Sequence, residues 1–260
     1  MIKVYLADIG TMDGDTRDRL FAVLSTERKE RVLRYKREKD RLLGIGAGAL
    51  VSLALSEKLQ KDPDGSAATF MRDLRKATGG SAATFKRDSR QETGAEVLLC
   101  EVGFASLDTE RLPSPEQLET GKGAHGKPYL KKYPAWHFNL SHSGTKVMLA
   151  CSASELGVDI EKTGPVRERV LGKAFAPAEQ RYVNAAEGAE RDRRFTEVWA
   201  RKESFLKASG TGIERELGTL SVIGEDGKPV PSIVTEEGSY DLYCPAEIDG
   251  YECFLCVKRG

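Results

Sequence analysis

Two short stretches of this chain hold the residue types from which a reaction could be built. In Gly157-Val158-Asp159-Ile160-Glu161, apolar Leu156, Val158 and Ile160 alternate with the other positions. That is the period of a strand, so Asp159 and Glu161 share one face. Two carboxylates about 4 Å apart repel by about 1 kcal/mol in water and about 4 kcal/mol at a protein-like dielectric. A pair held this way needs a counter-charge, and a divalent cation supplies one. Oxygen-only ligands favour Mg²⁺, which keeps some water and completes its shell with substrate phosphates. The second stretch, Trp199-Ala200-Arg201-Lys202-Glu203-Ser204-Phe205-Leu206-Lys207, places Trp199, Glu203 and Lys207 at i, i+4 and i+8 of a helix. Trp199 reads as the buried anchor, Glu203 as a third oxygen ligand and Lys207 as a cation one turn further on. Each motif alone has a plainer explanation. Asp-x-Glu on a strand is commonly a solvated face, and a Glu203/Lys207 surface pair is worth ~0.3–0.5 kcal/mol.

The rest of the chain must position these groups. Residues 1–9 read as a strand and 13–24 as an amphipathic helix, after which Ser25 suits a helix N-cap. The charged run that follows has eight basic and four acidic residues between 27 and 41. Arg28 and Arg31, three apart, share a helical face and could clamp a phosphate, or simply face solvent. Residues 42–55 form the longest nearly apolar run, shorter than the roughly 18–20 residues that span a bilayer, and read as a buried helix. Residues 97–102 read as a strand and 112–126 as a loop. Strands at 136–140 and 146–151 are joined by Ser141-His142-Ser143-Gly144. Such a joint is either a plain hairpin turn or an anion cradle of N–H groups and a hydroxyl, with His142 as a further donor. Short helices are expected at 167–171 and 178–186, a long one at 189–208 capped by 209–212, and strands at 220–223, 232–234, 240–243 and 251–257.

Residues 65–79 are repeated at 80–94 with eleven of fifteen positions identical. Two copies are too few for a solenoid, so the repeat reads as an insertion in a surface connection. With 260 residues, 40% of them apolar, the chain can bury a sizeable core. Basic and acidic side chains balance at 40 each, so no overall field favours nucleic acid or an anionic membrane. The first residues do not read as a signal peptide, and five scattered cysteines fit reduced thiols in a cytoplasm. Cys253 and Cys256 form a nominal C-x-x-C, but on a strand that spacing sends the sulfurs to opposite faces.

Taken together, Gly157 to Lys162 and the Trp-x-x-Lys-Glu-Ser-Phe-x-Lys block at 199–207 resemble the signature of 4′-phosphopantetheinyl transferases of the long, surfactin-synthetase-activating type. The block from His137 to Gly144 looks like that family's histidine-serine block, and Gly126-Lys127-Pro128 matches its Gly-Lys-Pro turn. The resemblance implies an α+β fold of two similar α/β subdomains, 1–152 and 153–260, related by a pseudo-twofold with the active site in the groove between them. It implies transfer of the phosphopantetheine arm of coenzyme A to a serine of an apo acyl or peptidyl carrier protein, releasing adenosine 3′,5′-bisphosphate. Mg²⁺ would be held by Asp159, Glu161 and Glu203. Glu203 or Glu161 would take the serine proton, and Lys207 would offset charge on the breaking bond. Arg28, Arg31, Lys127, Ser141, His142 and Lys207 would hold coenzyme A. Where the family pattern runs His-Arg-Thr, this chain has Leu42-Leu43-Gly44, so one nucleotide contact is expected to be missing. A groove built within one chain implies a monomer.

Overall fold

The computed structural model describes residues 1–61, 96–123, 126–211 and 217–260, so the tandem repeat at 65–94 lies outside the described residues. Alternation along β1 (Ile2–Asp8) buries Ile2, Val4 and Leu6 on one face and Tyr5 and Ala7 on the other. A strand apolar on both faces must be covered on both. It pairs in parallel with β2 (Val97–Val102), and the hairpin β5 (His137–Ser143) and β6 (Lys146–Ser152) completes an antiparallel side, in the order β2-β1-β6-β5. Helix α1 (Gly14–Ala22) starts where the Asp13 carboxylate accepts the Thr16 N–H, and α2 (Thr26–Arg34) where the Ser25 hydroxyl accepts the Arg28 N–H.

The apolar run lies inside a longer helix than its sequence suggests, α3 (Glu38–Lys61). By length and composition Glu38–Leu59 could cross a membrane, but 72% of its apolar window is buried inside the fold, as in a core helix. Gly46 in this helix faces the Phe104 ring and Ile9, and Gly48 faces Leu24 and Arg28, so both admit neighbours that a side chain would push away. The stretch read as a loop at 112–126 also contains a 3₁₀ turn, Pro115–Leu118, and strand β3 (Thr120–Lys122), which pairs with β4 (Pro128–Leu130).

A second sheet, wholly antiparallel, runs β7 (Leu156–Lys162), β10 (Tyr251–Lys258), β9 (Gly238–Tyr243), β8 (Ser232–Thr235) in spatial order. Its outer face is covered by α4 (Glu168–Ala174), α5 (Pro177–Asn184) and α6 (Gly188–Ser209), the last ended by Gly210 in the left-handed region at φ 70°. Residues 220–223 form no strand, only an isolated bridge from Ile223 to Pro229. The backbone groups a ladder would need are taken by a buried ion pair. Lys202 Nζ donates to the carbonyls of Leu217 (2.7 Å) and Leu220 (2.5 Å), while the Val222 N–H donates to Glu179 Oε1 at 2.8 Å. Lys202 and Glu179 are themselves 2.7 Å apart and fully buried.

Between the sheets lies a third apolar cluster, with Val4, Leu6 and Met148 from one side and Val158, Ile160, Cys253 and Leu255 from the other. The layers are therefore helix, sheet, sheet, helix, with α3 and α6 outside. Cys253 faces this inner layer and Cys256 the α6 side, the opposite-face arrangement expected of their spacing.

Candidate active site

The two sheets also meet edge to edge, where β5 runs beside β7. No backbone ladder joins them; side chains do. On β5 the residues Asn139, Ser141 and Ser143 point one way by strand period. Asn139 Oδ1 accepts the Val158 N–H at 2.9 Å, Ser141 Oγ donates to Asp159 Oδ1 at 2.8 Å, and Ser143 Oγ donates to Glu161 Oε2 at 2.9 Å while accepting the Lys162 N–H at 3.0 Å. Ser141 and His142 thus belong to a strand rather than to the joint where the sequence pattern put them, pairing with Met148 and Val147. The reason is that Ser141 and Ser143, on either side of His142, have partners across the seam that no solvent-facing turn would offer. The true turn is at Gly144, φ 58°, where a Cβ would strike the Tyr251 hydroxyl. That hydroxyl accepts the Thr145 N–H at 3.3 Å.

With Leu156, Val158 and Ile160 turned into the layer between the sheets, Gly157, Asp159 and Glu161 face α6. Gly157 lets that helix come close: a Cβ there would run into the backbone at Ser204, Lys207 and Ala208. The contact sets Lys207 over the strand. Its ammonium donates to Asp159 Oδ1 at 2.6 Å, Ser141 Oγ at 3.0 Å and the Val158 carbonyl at 3.2 Å. One turn back, Glu203 is half-buried and feels Asp159 and Glu161 as like charges. Trp199 is half-buried rather than fully buried. It packs on the α6 core with the Arg167 guanidinium 4.9 Å from its ring centre.

Electrostatics bind these residues into one unit. Burial pushes the pKa of Glu161 up, and the Asp159 charge adds to it; the Ser143 hydrogen bond, Lys207 and Arg167 oppose. Burial likewise raises Glu203, reinforced by Asp159 and Glu161 and opposed by Lys207 and Arg167. Three mutually repelling carboxylates with one lysine and one arginine remain short of positive charge. Asp159 Oδ2 is buried with no hydrogen-bond partner. An oxygen-only donor set, mutual repulsion and an orphaned carboxylate oxygen suit a hard divalent cation in kind. As the side chains lie, no three His, Cys, Asp or Glu among the described residues form a ready cage, and the Lys207 ammonium holds Asp159 Oδ1. A cation would have to draw the carboxylates inward.

The other residues singled out from sequence sit around this cluster in different ways. His142 is exposed, yet crowding by its neighbours lowers its pKa; Lys207 adds to this, while Asp40 and Asp159 oppose it. The charges of Asp159 and of Asp40 in the first turn of α3 thus both act on the histidine, while its lowered pKa favours the neutral imidazole. Arg28 and Arg31 share α2. Burial lowers Arg28, and the like charge of Arg31 lowers it further. Lys127 donates to the carbonyls of Leu156 at 2.8 Å and Ala208 at 3.4 Å, tying together the ends of β7 and α6, and burial lowers its pKa. Three further residues join the site without having been singled out. Ser143 was legible in principle, as the third member of the period-two run from Asn139. Glu252 lies opposite Glu161 on β10, held by Arg193 Nη1 at 3.2 Å. Arg167 is fixed by aromatic rings on α6, and no local pattern marks it.

Comparison with known proteins follows this geometry. Residues 155–256 match the family model of the 4′-phosphopantetheinyl transferase superfamily. A stretch of 142 residues is 34% identical to a 4′-phosphopantetheinyl transferase of Bacillus subtilis, covering 54% of this chain and 58% of that protein. Over 130 residues it is 34% identical to the L-aminoadipate-semialdehyde dehydrogenase-phosphopantetheinyl transferase of Homo sapiens, covering 44% and 42%. A further 112-residue match, to a putative 4′-phosphopantetheinyl transferase of Synechocystis, is 36% identical and covers 41% and 45%. The chain thus spans about two fifths to three fifths of these relatives' length. The crystal structure of Thermotoga maritima holo-[acyl-carrier-protein] synthase overlaps loosely, with a TM-score of 0.34 and 22% identity over 41% of this chain and 63% of that one.

Proposed function

We propose that this chain, whose residues 155–256 match the family model of the 4′-phosphopantetheinyl transferase superfamily, moves the phosphopantetheine arm of coenzyme A onto a serine of an apo acyl or peptidyl carrier protein. In that reaction the serine oxygen bonds to the β-phosphorus as the bond to the bridging oxygen breaks, and adenosine 3′,5′-bisphosphate leaves. The observation that carries the reading is the meeting of Asp159, Glu161, Glu203 and Lys207, two acids from a strand and an acid and a base from a helix, at the seam between the sheets.

Asp159, Glu161 and Glu203 would hold Mg²⁺, which when bound draws charge off the pyrophosphate as a Lewis acid. The remaining work falls to the chain's own side chains. Glu203 or Glu161 is assigned to take the serine proton. Lys207, once released from Asp159, puts its ammonium beside the bridging oxygen as negative charge develops there. Ser141 keeps Asp159 oriented. Arg28, Arg31, Lys127 and His142 are assigned to the nucleotide end. A phosphate near His142 would offset Lys207 and lift the imidazole toward its charged form. The pseudo-twofold relation of 1–152 to 153–260, a groove between them, a monomer and a cytoplasmic setting belong to the same reading.

The test is the intact mass of several apo carrier proteins after incubation with the enzyme, coenzyme A and Mg²⁺. A gain of one phosphopantetheine on at least one carrier supports the proposal. No gain on acyl, polyketide or peptidyl carriers defeats it, and carrier binding without transfer would mark a protein that has kept only recognition.

A further inference from the structure

At the far end of β10 from its C-terminus, two thiols converge that the transfer chemistry does not use. Cys244 follows directly on β9, and Cys253 lies near the start of β10. The pairing of Tyr243 with Leu255 puts Cys244 one residue beyond a ladder pair and Cys253 two residues before it, so the two backbones are adjacent. The side chains complete the approach. Cys244 Sγ donates to the Ala246 carbonyl at 3.3 Å and Cys253 Sγ to the same oxygen at 3.0 Å. Two sulfurs that share one acceptor oxygen stand side by side.

Their surroundings differ. Cys244 is exposed, whereas Cys253 is 1% exposed. The neighbouring Cys253 thiol lowers the Cys244 pKa, Arg201 and the Ala246 backbone add to this, and burial and Glu252 oppose it. The Cys244 thiol and burial raise Cys253. A reachable, acidified thiol beside a shielded one is the division between an attacking and a resolving cysteine.

We propose that Cys244 and Cys253 form a reversible thiol–disulfide site, closed by hydrogen peroxide. The Cys244 thiolate attacks one peroxide oxygen, giving a sulfenic acid and releasing hydroxide. The Cys253 sulfur then attacks the sulfenic sulfur, forming the S–S bond; its proton leaves with the departing oxygen as water. Overall two thiols and one peroxide give one disulfide and two waters, and a dithiol reductant reverses it. Cys253 is the ladder partner of Ile160, between Asp159 and Glu161, so the link closes one strand away from the acid cluster.

The experiment is peptide mapping of the full chain without reduction, before and after brief exposure to hydrogen peroxide, and again after dithiothreitol. The expected result is a new linked species joining the Cys244 and Cys253 peptides, two hydrogens lighter than their sum, restored by dithiothreitol and absent in Cys244→Ser. In Cys253→Ser, Cys244 should stop at sulfenic or sulfinic acid. A link between two chains, Cys244 oxidised with no partner in the unaltered protein, or both thiols unchanged while other cysteines react would each overturn the inference. Circular dichroism of each variant establishes that it folds. Because the readout is a mass and not transfer, the outcome is independent of the proposed activity.

Discussion

At Lys207 one ammonium serves three oxygens, and the carboxylate it chiefly serves has little else. The Asp159 side chain is 4% exposed and that of Lys207 27%. Breaking a fully buried pair costs about 3–5 kcal/mol, and the partial exposure of the lysine brings the expected cost of Lys207→Met to about 2–3 kcal/mol. Urea unfolding reads it, and adding Asp159→Asn should recover part of the loss, because no buried charge is then stranded. The acids give a second prediction. Glu161 and Glu203 hold protons more tightly folded than unfolded, so the native state binds the more protons above the ordinary value of 4.5. Their stabilising contribution is full below that value and is lost as pH rises through their raised pKa. The metal-free protein should therefore lose stability over that window, and Glu203→Gln should flatten the slope and raise the melting temperature at neutral pH. A slope unchanged by the substitution would contradict the assigned repulsion. The acids themselves were readable from alternation and helical spacing. Arg167 was not, because what places it is a pair of rings more than twenty-five residues further along the chain.

Two elements, β7 and α6, make the site by approaching more closely than side chains normally allow. Gly157→Ala should force α6 outward, costing about 1–3 kcal/mol by overpacking and lowering transfer more than it lowers stability. Comparing denaturation midpoint with turnover separates the two. The same half of α6 is also held by Lys202 and Glu179, buried together beneath the segment that fails to become a strand. Lys202→Met leaves Glu179 unpaired, and a loss of about 3–5 kcal/mol is expected, with exchange of the 217–222 amides accelerated. This explains what the sequence reading missed. Alternation at 220–223 suggests a strand, but it carries no sign that a lysine on a helix will claim the carbonyls. The placement of Ser141 and His142 in β5 was hidden similarly, since their partners lie on another strand.

At the scale of the whole molecule, two four-stranded sheets share an apolar layer and a polar seam, and the seam holds the chemistry. The outer helices and most strands were legible because their apolar residues recur at helix or strand spacing or form short unbroken runs. The edge-to-edge meeting of β5 and β7 was not, since it depends on hydroxyl groups that on their own read as solvated. The repeat at 65–94 reads from its sequence as an insertion in a surface connection, and its deletion is expected to leave the carrier mass gain within about twofold, such insertions being tolerated. The most direct test of the central claim is the count of Mn²⁺ ions bound per chain, by electron paramagnetic resonance with coenzyme A present. One ion in the unaltered protein, lost in Asp159→Asn and in Glu203→Gln alike, is the result expected if strand and helix act jointly. An ion retained in both variants, or none bound by the unaltered protein, would contradict it.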